Sequence, residues 1–271
     1  MHYLPVWLSA FLLLLTAPAG VSVAAADNVP SSGPATPNVV TSTVTPWGFA
    51  DNEGHQAGIL VDFQQFLFSR AGLPLHNTLI PYPRVIQEIA SGKADVAVMF
   101  TSPLANQIAD SLGKVVDEHI IIVTRADAPD YHSLDDFAGK QVGQVRGSRY
   151  GEVFDNHPLL QRIPVTDVDQ GLKMLLAGRL DAMASTEHSL LYAMYSSGIR
   201  GEQIRIALPL FTARADLYVA KRAAGQPWVA PLRQALQSMS DDGSLRPSLY
   251  QRDYWPYDSF CFAGGQCLQT H

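Results

Sequence analysis

The sequence contains few charged residues and no run of lysine and arginine. Charged side chains make up 16% of the 271 residues, and the formal net charge is -6. Nucleic acids attract proteins through clusters of positive charge, so this composition excludes a nucleic acid as the expected partner. Hydrophobic residues make up 47% of the chain, which excludes an intrinsically disordered protein.

Cysteine is nearly absent as well. The chain has two cysteines, Cys261 and Cys267, in the segment CFAGGQC. In an oxidising compartment the intervening Ala-Gly-Gly lets the chain turn back, so we expect a disulfide between them. A metal or redox pair is the alternative, but the sequence has no Cys-x-x-Cys spacing. We expect no cofactor and no metal.

Long hydrophobic runs are absent beyond the N-terminus. The apolar stretch from Leu4 to Ala17 is followed by small residues ending at Ala26. It is shorter than the roughly 20 residues that span a membrane, so it predicts a secretory signal peptide over 1–26 rather than an anchor. The n-region lacks lysine and arginine, a departure from the usual pattern. The Pro-, Ser- and Gly-rich segment 27–38 predicts a flexible lead-in.

The rest of the chain alternates strand-like and helix-like segments in two series. Such alternation predicts an α/β fold with a largely parallel sheet. The first series has strands over 39–44, 75–81 and 96–100 and helices over 59–70 and 84–91. The second has strands over 120–123, 141–145, 181–184 and 217–220, helices from about 150, over 169–177 and over 187–196, and a final helix over 228–238.

The two series also repeat one pattern. SGKADVAVMF at 91–100 and AGRLDAMAST at 177–186 each run from a helix end through glycine, a basic residue and aspartate into an apolar strand. Glycine ends a helix as its C-cap, and a cation is favourable near the negative end of the helix dipole. The repetition predicts a matched pair of lobes.

In this order of segments the sequence resembles the periplasmic solute-binding proteins of ABC transporters, in particular the polar amino-acid-binding group. The matching phrases are PWGFADNEGHQAGILVDFQQFLFSRAGL, EIASGKADVAV, SLDDFAGKQVGQVRGSRYGEVF, DQGLKMLLAGRLDAM and PLRQALQSMSDDGSL, and they span about 39–255. The resemblance implies a two-lobed type II periplasmic-binding-protein fold, each lobe a mixed, mostly parallel sheet flanked by helices, with a ligand cleft between the lobes.

The resemblance also implies a division of the chain and a set of partners. Lobe 1 is expected over 39–120, lobe 2 over 121–222, and a return to lobe 1 with the C-terminal helix and tail over 223–271. The two crossover segments are expected near 119–122 and 223–227. The implied partners are a small-molecule solute and an ABC permease in the inner membrane, and the protein is expected to be a periplasmic monomer.

Arg84 lies where a strand ends and a helix begins, the edge of lobe 1 that faces the expected cleft. A guanidinium there suits a carboxylate or phosphate through a bidentate pair. The alternative is a structural salt bridge to a nearby acid. If Arg84 is the anion clamp, replacing it by alanine should weaken binding at least tenfold.

Further candidate ligand-binding residues follow lobe 1 strands. The aromatic side chains of Trp47, Phe49 and Tyr82 could form apolar walls for a ligand, with core packing as the alternative for Phe49 above all. Thr101 and Ser102 follow the strand over 96–100 and are expected to line the cleft as neutral hydrogen-bonding groups.

In lobe 2 the candidate residues are Gly147, Ser148 and Arg149, in the turn after the strand over 141–145. The resemblance implies that this turn offers backbone N–H groups and a hydroxyl to a ligand carboxylate, and Arg149 adds positive charge. Helix capping alone also explains Ser148.

The sequence departs from the amino-acid binders at two positions. Gln107 lies near the place of their carboxylate-binding arginine, and Thr186 followed by Glu187 lies where they carry an acid for the ammonium group. Arg84 or Arg149 is therefore expected to replace the usual clamp.

The main functional hypothesis is a non-catalytic binding protein for a small polar solute, anionic or amino-acid-like. It is supported by the resemblance and by the lack of a nucleophile–base constellation in the sequence. One alternative is an enzyme on the same fold, similar to periplasmic prephenate dehydratases, with Glu187 facing the cleft as general acid. The other is an orphan sensor or accessory module. The histidines are interpreted as surface or loop residues: His55, His76, His119, His157 and His188.

Overall fold

A computed structural model of the chain describes residues 36–250, residue 254 and residues 259–269. The predicted signal peptide, 1–26, and residues 27–35 of the predicted lead-in lie outside the described residues. Within the described part of the chain, every helix is too short or too polar to cross a membrane.

The described chain is an α/β structure, as predicted. Its first half contains β1 (Asn38–Ser42), β2 (Phe49–Ala50), β3 (Gln56–Ala57), α1 (Ile59–Arg70), β4 (His76–Ile80), α2 (Tyr82–Ser91), β5 (Val96–Phe100), α3 (Pro103–Ile108) and β6 (Ala109–Arg125). Its second half contains β7 (Gln141–Val145), α4 (Glu152–Asp155), β8 (Gln161–Val165), α5 (Val168–Leu176), β9 (Ala182–Thr186), α6 (Glu187–Ser196), β10 (Ile204–Ala220), α7 (Val229–Asp241), α8 (Leu245–Leu249), β11 (Ser259–Cys261) and β12 (Cys267–Gln269).

Eight strands form one mixed sheet in the order β4-β1-β5-β10-β6-β9-β7-β8. The outer strands pair in parallel at both ends of the sheet: β1 pairs with β4 and β5 on one side, and β7 pairs with β8 and β9 on the other. The two central strands run antiparallel to each other along nearly their whole length. Each parallel group with its helices makes one lobe, and β6 and β10 connect the two.

The central strands pass from one lobe to the other. On β10, residues 215–219 pair with β5 of lobe 1, whereas on β6, residues 120–123 pair with β9 of lobe 2. Val116 of β6 pairs with Ala215, where β10 belongs to lobe 1, and Ile120, where β6 belongs to lobe 2, pairs with Phe211 of β10. Both strands therefore change lobes between these two pairs. The return crossing therefore lies inside β10, earlier in the chain than the expected 223–227.

Each lobe has its own core on both faces of the sheet. In lobe 1, Phe63 and Leu67 of α1 are buried on one face, and Val85 and Ile89 of α2 on the other. In lobe 2, α5 supplies the residues on one face, and Phe137, Tyr150 and Phe154 are buried on the other. A two-lobed structure with two separate cores can change the angle between its lobes without unpacking either core.

The local predictions hold for the regular segments. Helices α1 and α6 have the predicted bounds, 59–70 and 187–196. The helix expected from about residue 150 is the four-residue α4, with Gly151 at its N-cap and Asn156 at its C-cap. The disulfide between Cys261 and Cys267 is present and closes the hairpin of β11 and β12, as predicted.

Candidate ligand-binding cleft

A cavity of about 90 Å³ lies between the two lobes and is bounded by both. The last residues of four strands line it: Ser42 of β1, Phe100 of β5, Val145 of β7 and Thr186 of β9. Ligands of open α/β sheets bind outside the carboxyl ends of the strands, so this is the position in which the fold places a ligand. The other lining residues are Val44, Trp47, Leu60, Tyr82, Val98, Met99, Val116, Ser148, Arg149, Tyr150, Val168, Ser189 and Ala215.

The lobes meet across the mouth of this cavity. A Cβ atom built on Gly147 of lobe 2 would lie 3.0 Å from the side-chain Cγ of Pro83 in lobe 1. Gly147 also has a φ of +81°, in the left-handed region that favours glycine. The turn after β7 therefore needs glycine twice, for its backbone conformation and for the close approach of the lobes. The cleft is closed in this structure.

Aromatic and aliphatic side chains form most of the cavity wall. Trp47 is buried, and the ring of Tyr82 contacts the ring of Phe100 edge-on with centroids 6.4 Å apart. Burial raises the pKa of Tyr82, against a smaller lowering by a hydrogen bond with the backbone of Phe100. Burial likewise raises the pKa of Tyr150. Both phenols are neutral at physiological pH, so these walls suit an apolar ligand body.

Four serine and threonine residues interrupt the apolar lining: Ser148, in the turn after β7, and three others, Ser42, Thr186 and Ser189. Ser42 comes from lobe 1, and Thr186 and Ser189 come from lobe 2. Each of these last three hydroxyls is buried, and among the described residues none of the three has a hydrogen-bond partner. Buried polar groups are nearly always hydrogen-bonded in native proteins, so these three groups require an explanation.

Arg149 is the charged residue that lines the cavity, and it lies at the rim with its side chain 75% exposed. Its Nε atom is 3.5 Å from a carboxylate oxygen of Asp155, whose side chain is only 6% exposed. Asp155 also accepts a hydrogen bond from the backbone N–H of Tyr150 at 3.1 Å. This ion pair positions the guanidinium at the cavity mouth.

The remaining lobe 1 candidates lie outside the cavity lining. Arg84 forms an ion pair with Glu88 one helical turn later, with Nε and Oε1 2.8 Å apart, and its side chain is 62% exposed. Ser102 caps α3 by accepting from the N–H of Ala105 at 3.1 Å, and Thr101 is exposed. Phe49 contacts the rings of two other residues, Tyr192 and Tyr254.

Glu187 belongs to a different part of the molecule. It is 4% exposed, and it lines two clefts on the side of the C-terminal hairpin rather than the cavity. Burial has the largest effect and raises the pKa of Glu187. The charge of His188 lowers this pKa, and the charge of Glu118 raises it. One carboxylate oxygen of Glu187 has no hydrogen-bond partner within the described residues.

Beside Glu187 lies a buried network that the sequence did not predict. Glu118, fully buried on β6, accepts hydrogen bonds from the backbone N–H of His188 at 3.0 Å and from its Nδ1 at 2.6 Å. The other ring nitrogen of His188 is 2.9 Å from the hydroxyl of Tyr250, and its ring packs 5.1 Å from the ring of Trp47. The expectation of a surface histidine at position 188 is wrong. The network joins lobe 2, the crossing strand and lobe 1.

No group of three or more His, Cys, Asp or Glu side chains within the described ranges is arranged to hold a metal ion. The polar side-chain groups that line the cavity are the guanidinium of Arg149 and the hydroxyls of six residues: Ser42, Tyr82, Ser148, Tyr150, Thr186 and Ser189. Such a set suits an organic solute rather than a metal, which prefers carboxylate, imidazole or thiolate ligands.

Comparison with known proteins gives a consistent assignment. The profile of the bacterial extracellular solute-binding proteins, family 3, matches residues 38–252. Among curated proteins, none matches the chain. A histidine kinase sensor domain with similarity to periplasmic binding proteins superposes with a TM-score of 0.69 at 18% identity, covering 80% of this chain and 95% of that one.

Two further solved structures show the same fold. ArgBP from T. maritima, in a mutant form, superposes with a TM-score of 0.66 at 17% identity over 80% of this chain and 94% of that one. The VFT2 domain of Bordetella pertussis BvgS, a double mutant, gives 0.63 at 24% identity over 80% and 93%. At these identities the superpositions establish the two-lobed fold.

Proposed function

Because the chain belongs to the bacterial extracellular solute-binding proteins of family 3, we propose that it captures a small polar solute in the periplasm by closing its two lobes, and delivers it to an ABC permease. It acts as a monomer, since one chain supplies both walls of the cleft. Its family is one of binding proteins and does not point to catalysis.

The observation that carries this proposal is the cavity between the lobes. Strand ends from both lobes line it, and Pro83 and Gly147 meet across its mouth. A ligand that contacts both lobes favours the closed arrangement over the open one, because only the closed arrangement supplies both sets of contacts. The two crossing strands β6 and β10 are the connections about which the lobes would turn.

The solute carries one anionic group, which Arg149 pairs at the cavity mouth. Arg149 is favoured over Arg84 because it lines the cavity, whereas Arg84 lies outside the lining. Each arginine also pairs with an acid, Arg149 with Asp155 at 3.5 Å and Arg84 with Glu88 at the shorter distance of 2.8 Å. An exposed arginine can form a bidentate pair with a carboxylate that arrives at the mouth. Trp47 and Tyr82 contact the body of the solute.

A second candidate function is supported by the fold neighbours. Two of the superposed structures are a histidine kinase sensor domain and a domain of BvgS. In that case closure would be passed to a signalling partner instead of a permease, while the binding step would be the same. The enzyme alternative required Glu187 to face the cleft, and Glu187 lines other clefts instead.

Native mass spectrometry tests the binding step. The mature protein is incubated with the small-molecule fraction of a bacterial culture and analysed for a bound mass. Ala215→Phe fills the cavity from its wall and should abolish binding, while Ala224→Phe places the same ring at an exposed position and should retain it. The proposal fails if no mass binds, or if a bound mass survives in folded Ala215→Phe.

A further inference from the structure

The three buried hydroxyls of the cavity form a feature that the proposed function does not yet use. We propose that Ser42, Thr186 and Ser189 form a subsite, here called the hydroxyl subsite, that binds an uncharged hydrogen-bonding group of the solute: a hydroxyl, a carbonyl or an amide. This inference rests on the proposed function, because it names the chemistry of the ligand of the same cleft.

The start of α6 supplies two of these groups. Thr186 occupies the N-cap position of this ten-residue helix, where a threonine hydroxyl normally accepts a hydrogen bond from a backbone N–H of the first turn. Thr186 makes no such bond, and the hydroxyl of Ser189 in the same turn has no partner among the described residues. The two residues are only 8% and 3% exposed. Thr186 and Ser189 therefore line the cavity with hydroxyls that form no hydrogen bond within the described residues.

The third group comes from the opposite lobe. Ser42 ends β1, is 7% exposed, and its hydroxyl is buried without a partner in the described part of the chain. A buried hydroxyl without a hydrogen bond destabilises the protein. A ligand group bound between Ser42 and the start of α6 would satisfy hydroxyls of both lobes at once, and only in the closed arrangement.

The charges around the subsite favour an uncharged group. Glu187 directly follows Thr186 and is buried, whereas Glu118 beyond it is paired with His188. An ionised Glu187 therefore disfavours a carboxylate at the subsite. The amino terminus of α6 carries the positive end of a helix dipole, which disfavours an ammonium group. A neutral hydroxyl can both donate and accept hydrogen bonds. A neutral ligand group is therefore destabilised neither by the negative charge of the nearby acid nor by the dipole of α6.

Four probes with the same carbon chain test this chemistry: 4-hydroxybutyrate, succinate, 4-aminobutyrate and butyrate. Each carries one carboxylate for Arg149, and they differ only at the far end. Calorimetric titration should show 4-hydroxybutyrate binding about tenfold more tightly than the dianion, the amine or the unsubstituted chain. In Thr186→Val and Ser189→Ala this preference should shrink to about twofold or less. Tighter binding of the dianion or the amine, equal binding of all four, or no binding of any overturns the inference.

A measurement without ligand tests the unused hydroxyls directly. Ser42→Ala and Ser189→Ala should leave Tm unchanged or raise it, since neither hydroxyl makes a hydrogen bond in the described structure. Ser102→Ala is the matched control, because that hydroxyl does cap α3, and it should lower Tm by about 2–4 °C. A fall in Tm for Ser42→Ala and Ser189→Ala equal to the control overturns the inference.

The two proposals fail in different ways. If the culture fraction yields a bound mass that Ala215→Phe abolishes, but the four probes show no preference for an uncharged end, the binding function stands and the hydroxyl subsite is wrong. If no small molecule binds at all, the binding function itself fails.

Discussion

Replacing Glu118 by glutamine should destabilise the protein and flatten the dependence of its stability on pH. Both carboxylate oxygens of Glu118 hold His188, at 3.0 and 2.6 Å, and His188 in turn lies 2.9 Å from the hydroxyl of Tyr250. A hydrogen bond to a charged group contributes about 1.5–3 kcal/mol. We therefore expect a loss of about 2 kcal/mol, which lowers Tm by about 4–8 °C in a protein of this size.

The pH dependence follows from the pKa of His188. Burial lowers this pKa, but the charge of the Glu118 carboxylate and its hydrogen bond outweigh burial and leave the pKa raised, with smaller contributions from Glu187 and Arg246. A raised pKa means that the folded state binds the proton more tightly. The stabilisation is therefore fully present below the unfolded pKa of about 6.5 and is lost as the pH rises through the folded value.

Glu187 acts in the same direction at lower pH. Its pKa is raised, mainly by burial, so its contribution also decreases as the pH rises above the ordinary value of a glutamate, about 4.3. The wild-type Tm should consequently fall with rising pH. In Glu118→Gln the part of this fall above pH ~6.5 should disappear, because His188 loses its charged partner.

The assay is differential scanning calorimetry of the two proteins from pH 5 to pH 9. Asp117→Asn is the matched control. Asp117 directly precedes Glu118 on β6, its side chain is 46% exposed, and its carboxylate pairs with Lys114 at the surface. An exposed pair of this kind contributes about 0.2–1 kcal/mol, so the control should keep the wild-type profile. Identical Tm and pH profiles for Glu118→Gln and wild type would show that the Glu118–His188 pair does not stabilise the fold.

Two further predictions concern the mouth of the cleft. Gly147→Ala should weaken solute binding, because its Cβ would press on Pro83 and hold the lobes apart. Its control is Gly139→Ala, with a similar φ of +73° and no atom within 4 Å of the added Cβ, which should lose comparable stability but keep binding. Small-angle scattering and calorimetric titration distinguish the two variants, and equal affinities would contradict the closure contact. Arg149→Ala should weaken binding about tenfold while Arg84→Ala leaves it unchanged; the opposite order in the same titration would restore Arg84 as the anion clamp.

The regular elements could be predicted from the sequence because their signals are local. Strand β5 and helix α6 have their apolar runs and helix ends within a few residues, and the predicted bounds agree with the structure. The crossing strands could not be recognised in full. Their 17 residues alternate irregularly between buried and exposed, since each strand passes from one lobe to the other. Only the apolar segments 120–123 of β6 and 217–220 of β10 were predicted as strands.

The site was harder to predict because its contacts join distant parts of the chain. Glu88 lies four residues after Arg84, a spacing that favours an ion pair on one helix. The structure contains this ion pair, which is the alternative to an anion clamp at Arg84. Glu118 and His188 are 70 residues apart, so no local pattern connects them. The hydroxyls of Ser42 and Ser189 resemble any other serine in the sequence, and only the fold brings them to one cavity.

A crystal structure of the protein with the small molecule that it binds from the culture fraction is the decisive test of the proposed cleft. We expect electron density for the ligand between the lobes, in contact with Trp47 and Tyr82 on one side and with Thr186 and Arg149 on the other. A ligand bound outside this cavity, or held by one lobe alone, would contradict it.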